Sequence, residues 1–188
     1  MQATPLAPSR ARRWLTRANG LSALRLVAAP PLAAAIASGH SSTAALLLAI
    51  AIATDFADGA VARRYNEASP LGGLLDHASD ATLVVLGMAA LATRGEAPRL
   101  LAPLVAAAFA QYALDSRTLA GRPLRASRLG RWNGIAYYVL VSTPVVRDAL
   151  GLAWPGISWM NAIGWVLVAS TLGSMLDRLL APGRPAAR

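Results

Sequence analysis

Four aspartates in the run DFADGAVARRYNEASPLGGLLDHASD, from Asp55 to Asp80, have the type and spacing to do chemistry together. Asp55 and Asp58 are spaced i, i+3, and Asp76 and Asp80 are spaced i, i+4. If each half is helical, each pair projects from one face of its own helix. Two helix ends joined by a short loop then bring the four carboxylates together. Such a cluster repels itself unless cations hold it, so it reads as a metal site. Ligation by carboxylates alone favours a hard divalent ion, Mg²⁺ or Mn²⁺. Asp58, Gly59, Ala62 and Arg63 return to the side of Asp55 at helical periodicity, and Gly72 lies one turn before Asp76. A groove floored by small residues and walled by acids suits a flat ligand whose phosphates bind through metal. Arg63 is placed to neutralise a phosphate from the other side. The plain alternative makes these acids partners of Arg63, Arg64 and the basic loops, setting topology. Regular spacing and intervening small residues argue against it.

Composition says what must position these groups. The 188 residues are 55% hydrophobic and only 14% charged, with a mean hydropathy of +0.45. That is apolar for a soluble domain, in which about a quarter of residues are charged. Cysteine is absent, which excludes disulfides and thiolate metal sites. The net charge of +9 comes from arginine without any lysine. These arginines fall between long apolar runs, so anionic lipid headgroups explain them better than nucleic acid does.

The hydropathy pattern predicts an all-α polytopic membrane protein with six transmembrane helices and no internal repeat. The spans run from about Leu21 to Ser38, Thr43 to Arg64, Leu71 to Thr93, Leu100 to Leu114, Trp132 to Val146, and Ile157 to Leu176. Several are close to the ~20 residues a bilayer requires. Pro30-Pro31 should kink the first, and Pro98 suits the start of the fourth. Residues 1–18 form a basic cytoplasmic segment, 19–180 a single catalytic domain, and 181–188 a basic tail. The basic start followed by an apolar run imitates a targeting signal, but further spans follow, so the first run is read as a retained helix. With the N-terminus inside, only Arg94, Arg99 and Arg147 of the 18 arginines fall outside. This asymmetry places both termini and the aspartates on the cytoplasmic side of the cell (inner) membrane. Trp14, Trp132, Trp154 and Trp159 stand at span ends, as an interfacial belt requires. His77 points away from Asp76 and reads as a packing contact, as do Tyr137 and Tyr138. Gly87 and the alanine-rich fourth span offer close helix packing. In the loop after the fourth span, Arg125, Arg128 and Arg131 set topology and can also grip an acceptor or headgroup phosphate.

The pattern Asp55-x2-Asp58-Gly59-x2-Ala62-Arg63-x8-Gly72-x3-Asp76-x3-Asp80 resembles the full signature of the CDP-alcohol phosphatidyltransferase family, matching at all eight fixed positions. The likeness extends more loosely over most of the chain. Asn19, Ser22 and Arg25 resemble the Asn-x-x-Thr/Ser-x-x-Arg element that opens the family's first helix. Ser127-x-x-Gly130-Arg131 resembles its Ser-x-x-Gly-Lys element, with arginine replacing lysine, and Gly134 stands where many members have threonine.

The resemblance implies that an alcohol hydroxyl attacks a CDP-linked donor, forming a phosphodiester and releasing CMP. It implies two metal ions bound by Asp55, Asp58 and Asp76, with Asp80 adding to metal binding and acting as general base. Gly59, Ala62, Arg63 and Gly72 would hold the CDP moiety, and members are commonly homodimers. Physical chemistry agrees: metal at a diphosphate neutralises the leaving group, and a carboxylate takes the proton of a poor nucleophile. The donor is expected to be CDP-diacylglycerol, with the acceptor open among glycerol 3-phosphate, serine, inositol phosphate and phosphatidylglycerol. SPLGGLLDHASD is also similar to the run of the branch that transfers from a CDP-amino alcohol to diacylglycerol. Two rivals lie outside the family. A prenyltransferase clusters its aspartates differently, and a divalent-cation transporter would place its acids near the bilayer midplane.

Overall fold

A computed structural model describes residues 16–65, 67, 69–115 and 128–180. Arg125, the N-terminal basic segment up to residue 15 and the tail from residue 181 lie outside the described residues. The described chain forms α1 (Arg17–Ala37), α2 (Ser41–Arg64), α3 (Pro70–Thr93), α4 (Leu101–Asp115), α5 (Arg128–Ala149) and α6 (Ile157–Leu180), with no strand among the described residues.

Capping explains where the helices begin. The Thr16 hydroxyl accepts from the Asn19 N–H at 3.1 Å, so α1 starts four residues before its apolar run. Glu67, from the α2–α3 connection, takes the N–H groups of Arg17 and Ala18 at 3.0 and 3.3 Å. A carboxylate at a helix N-terminus satisfies orphan donors and complements the dipole. Ser69 caps α3 by accepting from Gly72 N–H at 3.0 Å, with Pro70 in the first turn, where its missing N–H costs nothing. The α1–α2 and α3–α4 turns each use a glycine at positive φ, Gly39 and Gly95.

α1 packs mainly on α2 and α3, α4 on α3 and α6, and α5 on α2, α3 and α6. The core between them is aliphatic, with Leu32, Ile36, Leu83, Met88, Leu91, Leu101, Leu140 and Val141 almost fully enclosed. Gly87 lets α3 approach α5 closely: a Cβ there would stand 2.7 Å from Val141 Cγ1. The expected close packing at Gly87 is therefore present. Outside, Val27, Leu46, Trp165, Val166 and Leu172 are exposed. So much apolar exterior suits lipid rather than water.

Four helices, α1, α2, α3 from Gly72 and α6, are long and apolar enough to cross a bilayer. α4, at 15 residues, is shorter than a straight crossing needs. α5 runs past its expected span at both ends, from Arg128 to Ala149. The helix runs through Gly130 at one end and past Pro144 at the other, and so continues into charged residues where hydropathy stops.

The bundle has two unlike ends. At one, Arg94 pairs with Glu96 (2.8 Å) and Asp148 (2.6 Å), while Arg147 pairs with Glu96 (2.9 Å) and Asp148 (2.7 Å). Arg147 also donates to the Pro155 carbonyl at 2.8 Å, and Arg94 to that of Ile36 at 3.3 Å. These contacts tie the α1–α2, α3–α4 and α5–α6 turns together. The other end holds the aspartates.

Candidate active site

Three helix ends converge on the carboxylates: the start of α1, the last turns of α2 and the first turns of α3. Asp55, Asp76 and Asp80 each offer an oxygen, all within 4.8 Å of one another. Bonds of ~2.0–2.1 Å to Mg²⁺ put opposed ligand oxygens about 4 Å apart, so small side-chain movements fit this trio to a hard divalent ion. The donor set is right for such an ion, being all oxygen and partly open.

Asp58 is held differently. It is 6% exposed, and its Oδ2 accepts from Ser22 Oγ at 3.2 Å and Arg25 Nη2 at 2.6 Å. Arg25, 0% exposed, sits among all four aspartates. Its Nη2 reaches Asp55 at 3.1 Å as well as Asp58, and its Nη1 reaches Asp76 at 3.0 Å together with Asp80 and Ser79 Oγ. Asn19, Ser22 and Arg25 are spaced to line one face of α1, and all three are buried. The structure thus brings the first-helix element and the aspartate signature into one place.

The small residues have distinct surroundings. A Cβ at Gly72 would lie 3.1 Å from both Asn19 Oδ1 and Ser69 Oγ, so this glycine lets α3 meet α1. At Gly59 the nearest atom is Arg63 Nη1 at 3.4 Å, so the exposed Arg63 guanidinium folds back over the Gly59 surface. Ala62 is partly buried on the same helix. Beside this corner, Arg17 stacks over the Tyr65 ring with its guanidinium carbon 4.1 Å from the centroid.

Asp55 and Asp80 also line a cavity of about 1190 Å³ between α2, α3, α4, α5 and α6. It runs from the aspartates to Leu152, Trp154 and Pro155 at the opposite end, through Val84, Val105, Val139 and Val146. Near the aspartates it is polar, with His77, Gln111, Tyr112, Asn133, Tyr138 and Arg178. Arg131 stands exposed at its rim, whereas Arg128 is exposed at the first residue of α5 and is not part of the lining. His77 bonds the Gly73 carbonyl through Nδ1 (2.8 Å) and lies beside the Tyr112 ring, but the same Nδ1 is 3.8 Å from Asp76 Oδ2, so it does not point clear of Asp76 as expected. His40 sits near the opposite end, bonded to Ser38, so the two histidines share no site. Tyr137 packs as expected, with its hydroxyl 2.5 Å from Thr171 Oγ1. Tyr138 lines the cavity, as Tyr137 does, and its buried hydroxyl has no hydrogen-bond partner among the described residues.

Sequence reasoning missed Glu67 as the cap of α1, Arg178 stacked over Tyr112 at 4.8 Å, and the central position of Arg25. Arg25 alone had a signal, its spacing from Asn19 and Ser22. The others depend on contacts between residues far apart in the chain.

Carboxylates at the mouth of a largely apolar cavity, in a helical bundle with an apolar exterior, make this an integral membrane protein with an enzyme-like centre. The family model for CDP-alcohol phosphatidyltransferase matches residues 15–176, and the chain belongs to that family. It is therefore a membrane transferase of phospholipid biosynthesis. A CDP-diacylglycerol–glycerol-3-phosphate 3-phosphatidyltransferase of Cereibacter sphaeroides is 29% identical over 154 residues, covering 75% of this chain and 70% of the relative. One of the same name from Shigella flexneri serotype 5b is 28% identical over 155 residues, covering 73% and 77%. No solved structure matches.

Proposed function

We propose that this enzyme transfers the phosphatidyl group of CDP-diacylglycerol to the hydroxyl of glycerol 3-phosphate, releasing CMP. The observation that carries this is the position of the Asp55, Asp76 and Asp80 oxygens at the polar mouth of a long apolar cavity. A charged diphosphate head and two acyl tails need both environments side by side. The relatives' names supply the choice of donor and acceptor. They also weigh against a CDP-amino alcohol as donor. The position of the acids at one end of the bundle weighs against a transporter.

Asp55, Asp58, Asp76 and Asp80 would hold Mg²⁺ or Mn²⁺, as two ions. Bound there, such ions would supply positive charge against the diphosphate and the departing CMP. Gly59 and Ala62 leave room for the CDP moiety, while Arg63 and Gly72 border it. Asp80 accepts the proton of the attacking hydroxyl, which is otherwise a poor nucleophile at neutral pH. Arg131 and Arg178, lining the same cavity, suit the phosphate of the acceptor. Arg128, and by its charge Arg125, are further candidates for that phosphate.

All six helices span the membrane in this reading, α4 and α5 included, with both termini and the aspartates cytoplasmic in the inner membrane. The arginine asymmetry supports that orientation. Residues 19–180 act as one catalytic unit between basic ends, and family resemblance supports a homodimer. The test is purified protein with CDP-diacylglycerol, Mg²⁺ or Mn²⁺ and a panel of alcohols, with lipid products weighed by mass spectrometry. Glycerol 3-phosphate should yield its phosphatidyl ester. A product from serine or inositol phosphate alone would overturn the acceptor, and no product from any alcohol would overturn the reaction.

A further inference from the structure

We infer that Arg25 is a positioning residue that serves as a built-in counter-cation, holding the aspartates of two helices in metal-binding geometry before any ion arrives. This rests on the proposed metal site.

The observation is how the guanidinium divides its contacts. Nη2 faces Asp55 and Asp58, both on α2, and Nη1 faces Asp76 and Asp80, both on α3. Each nitrogen serves one half of the motif, so one planar group bridges the two helices. Lysine has a single nitrogen and cannot present that fork. Ser79 Oγ accepts from Nη1 at 3.2 Å and Ser22 Oγ donates to Asp58 at 3.2 Å, which steadies the arrangement on both sides. Arg25 is wholly enclosed, so water cannot do its work. Without it, four carboxylates at two adjoining helix ends face one another with no cation between them, Asp58 buried and the other three only partly open to solvent. The helix ends would splay, and ions would find the oxygens scattered. With it, the cluster persists without metal, and loading becomes an exchange in which carboxylates trade guanidinium contacts for metal bonds. A divalent ion and Arg25 then do overlapping work in holding α2 to α3.

Overlap makes a prediction that a simple staple between α1 and its neighbours does not. Thermal unfolding in detergent is followed for wild type, Arg25→Met and Arg25→Lys, each with EDTA and with saturating Mn²⁺. Wild type should show a small metal-induced rise in Tm. Arg25→Met should unfold well below wild type in EDTA and recover most of that loss with Mn²⁺, so its metal-induced rise is several times larger. Arg25→Lys should fall between the two. If Arg25→Met loses the same amount of Tm with and without Mn²⁺, or loses none, the inference is wrong. If Arg25→Met yields no folded protein in either condition, Arg25→Lys decides by the same comparison. No donor or acceptor enters this assay. Wild type that gains Tm from Mn²⁺ yet never releases CMP would therefore contradict the proposed reaction and leave the role of Arg25 standing.

Discussion

Adding one methyl at Gly72, and the same methyl at Gly73, should have opposite consequences. At Gly72 a Cβ would stand 3.1 Å from Asn19 Oδ1 and 3.1 Å from Ser69 Oγ; at Gly73 it would meet nothing within 4 Å. Asn19 is buried against α3, so Ser69 is the neighbour with room to move. Moving it breaks the bond from Gly72 N–H that caps α3, a loss of about 1 kcal/mol. Residual crowding adds roughly 1–3 kcal/mol, and alanine's better helix propensity returns up to about 1 kcal/mol. Gly72→Ala should thus destabilise by roughly 2 kcal/mol, while Gly73→Ala should be neutral or stabilise by up to about 1 kcal/mol. Thermal unfolding in detergent reads the difference. Activity should separate the two further, because α3 carries Asp76 only one turn beyond Gly72. A shift of that turn should lower CMP release tenfold or more, with Gly73→Ala near wild type. Equal effects of the two substitutions on Tm and turnover would refute the view that Gly72 sets the approach of α3 to α1.

Other substitutions separate binding from folding. Gly59→Ala places a Cβ in ordinary contact with Arg63, so the protein should keep its Tm while KM for the CDP-linked donor rises; an unchanged KM would remove Gly59 from the nucleotide site. Asp80→Asn should abolish turnover yet retain metal and nucleotide binding by calorimetry, and wild-type turnover would remove the general-base assignment. Glu96→Gln leaves Arg94 and Arg147 with Asp148 as their remaining acid in the network. Its cost should be about 3 kcal/mol in thermal unfolding, with turnover per folded molecule unchanged because the network lies at the far end of the bundle.

The aspartate signature was legible because its geometry is local: two helical faces and a short connection need only spacing. Helix type followed from hydropathy for α1, α2, α3 and α6, where apolar runs match the bilayer. The limits of α5 were not legible, because Arg128, Arg147 and Asp148 end its hydropathy while the helix continues through them. Nor could spacing show that Glu67 caps α1, since that bond joins residues about fifty apart in the chain. The same holds for Arg25: its place in a first-helix element was visible, but its position among four carboxylates arises only when α1 packs against α2 and α3. Tyr137 and Tyr138 both line the cavity, but only Tyr137 finds a hydroxyl partner across it on α6, which adjacency in sequence could not show.

The most direct test of the metal-assisted transfer is CMP release from CDP-diacylglycerol by purified protein on adding glycerol 3-phosphate, with Mn²⁺ or with EDTA. Release should match the lipid product mole for mole in Mn²⁺ and stop in EDTA. Undiminished release in EDTA, or none in Mn²⁺, would contradict the reading of these aspartates as the metal-dependent centre of phosphatidyl transfer.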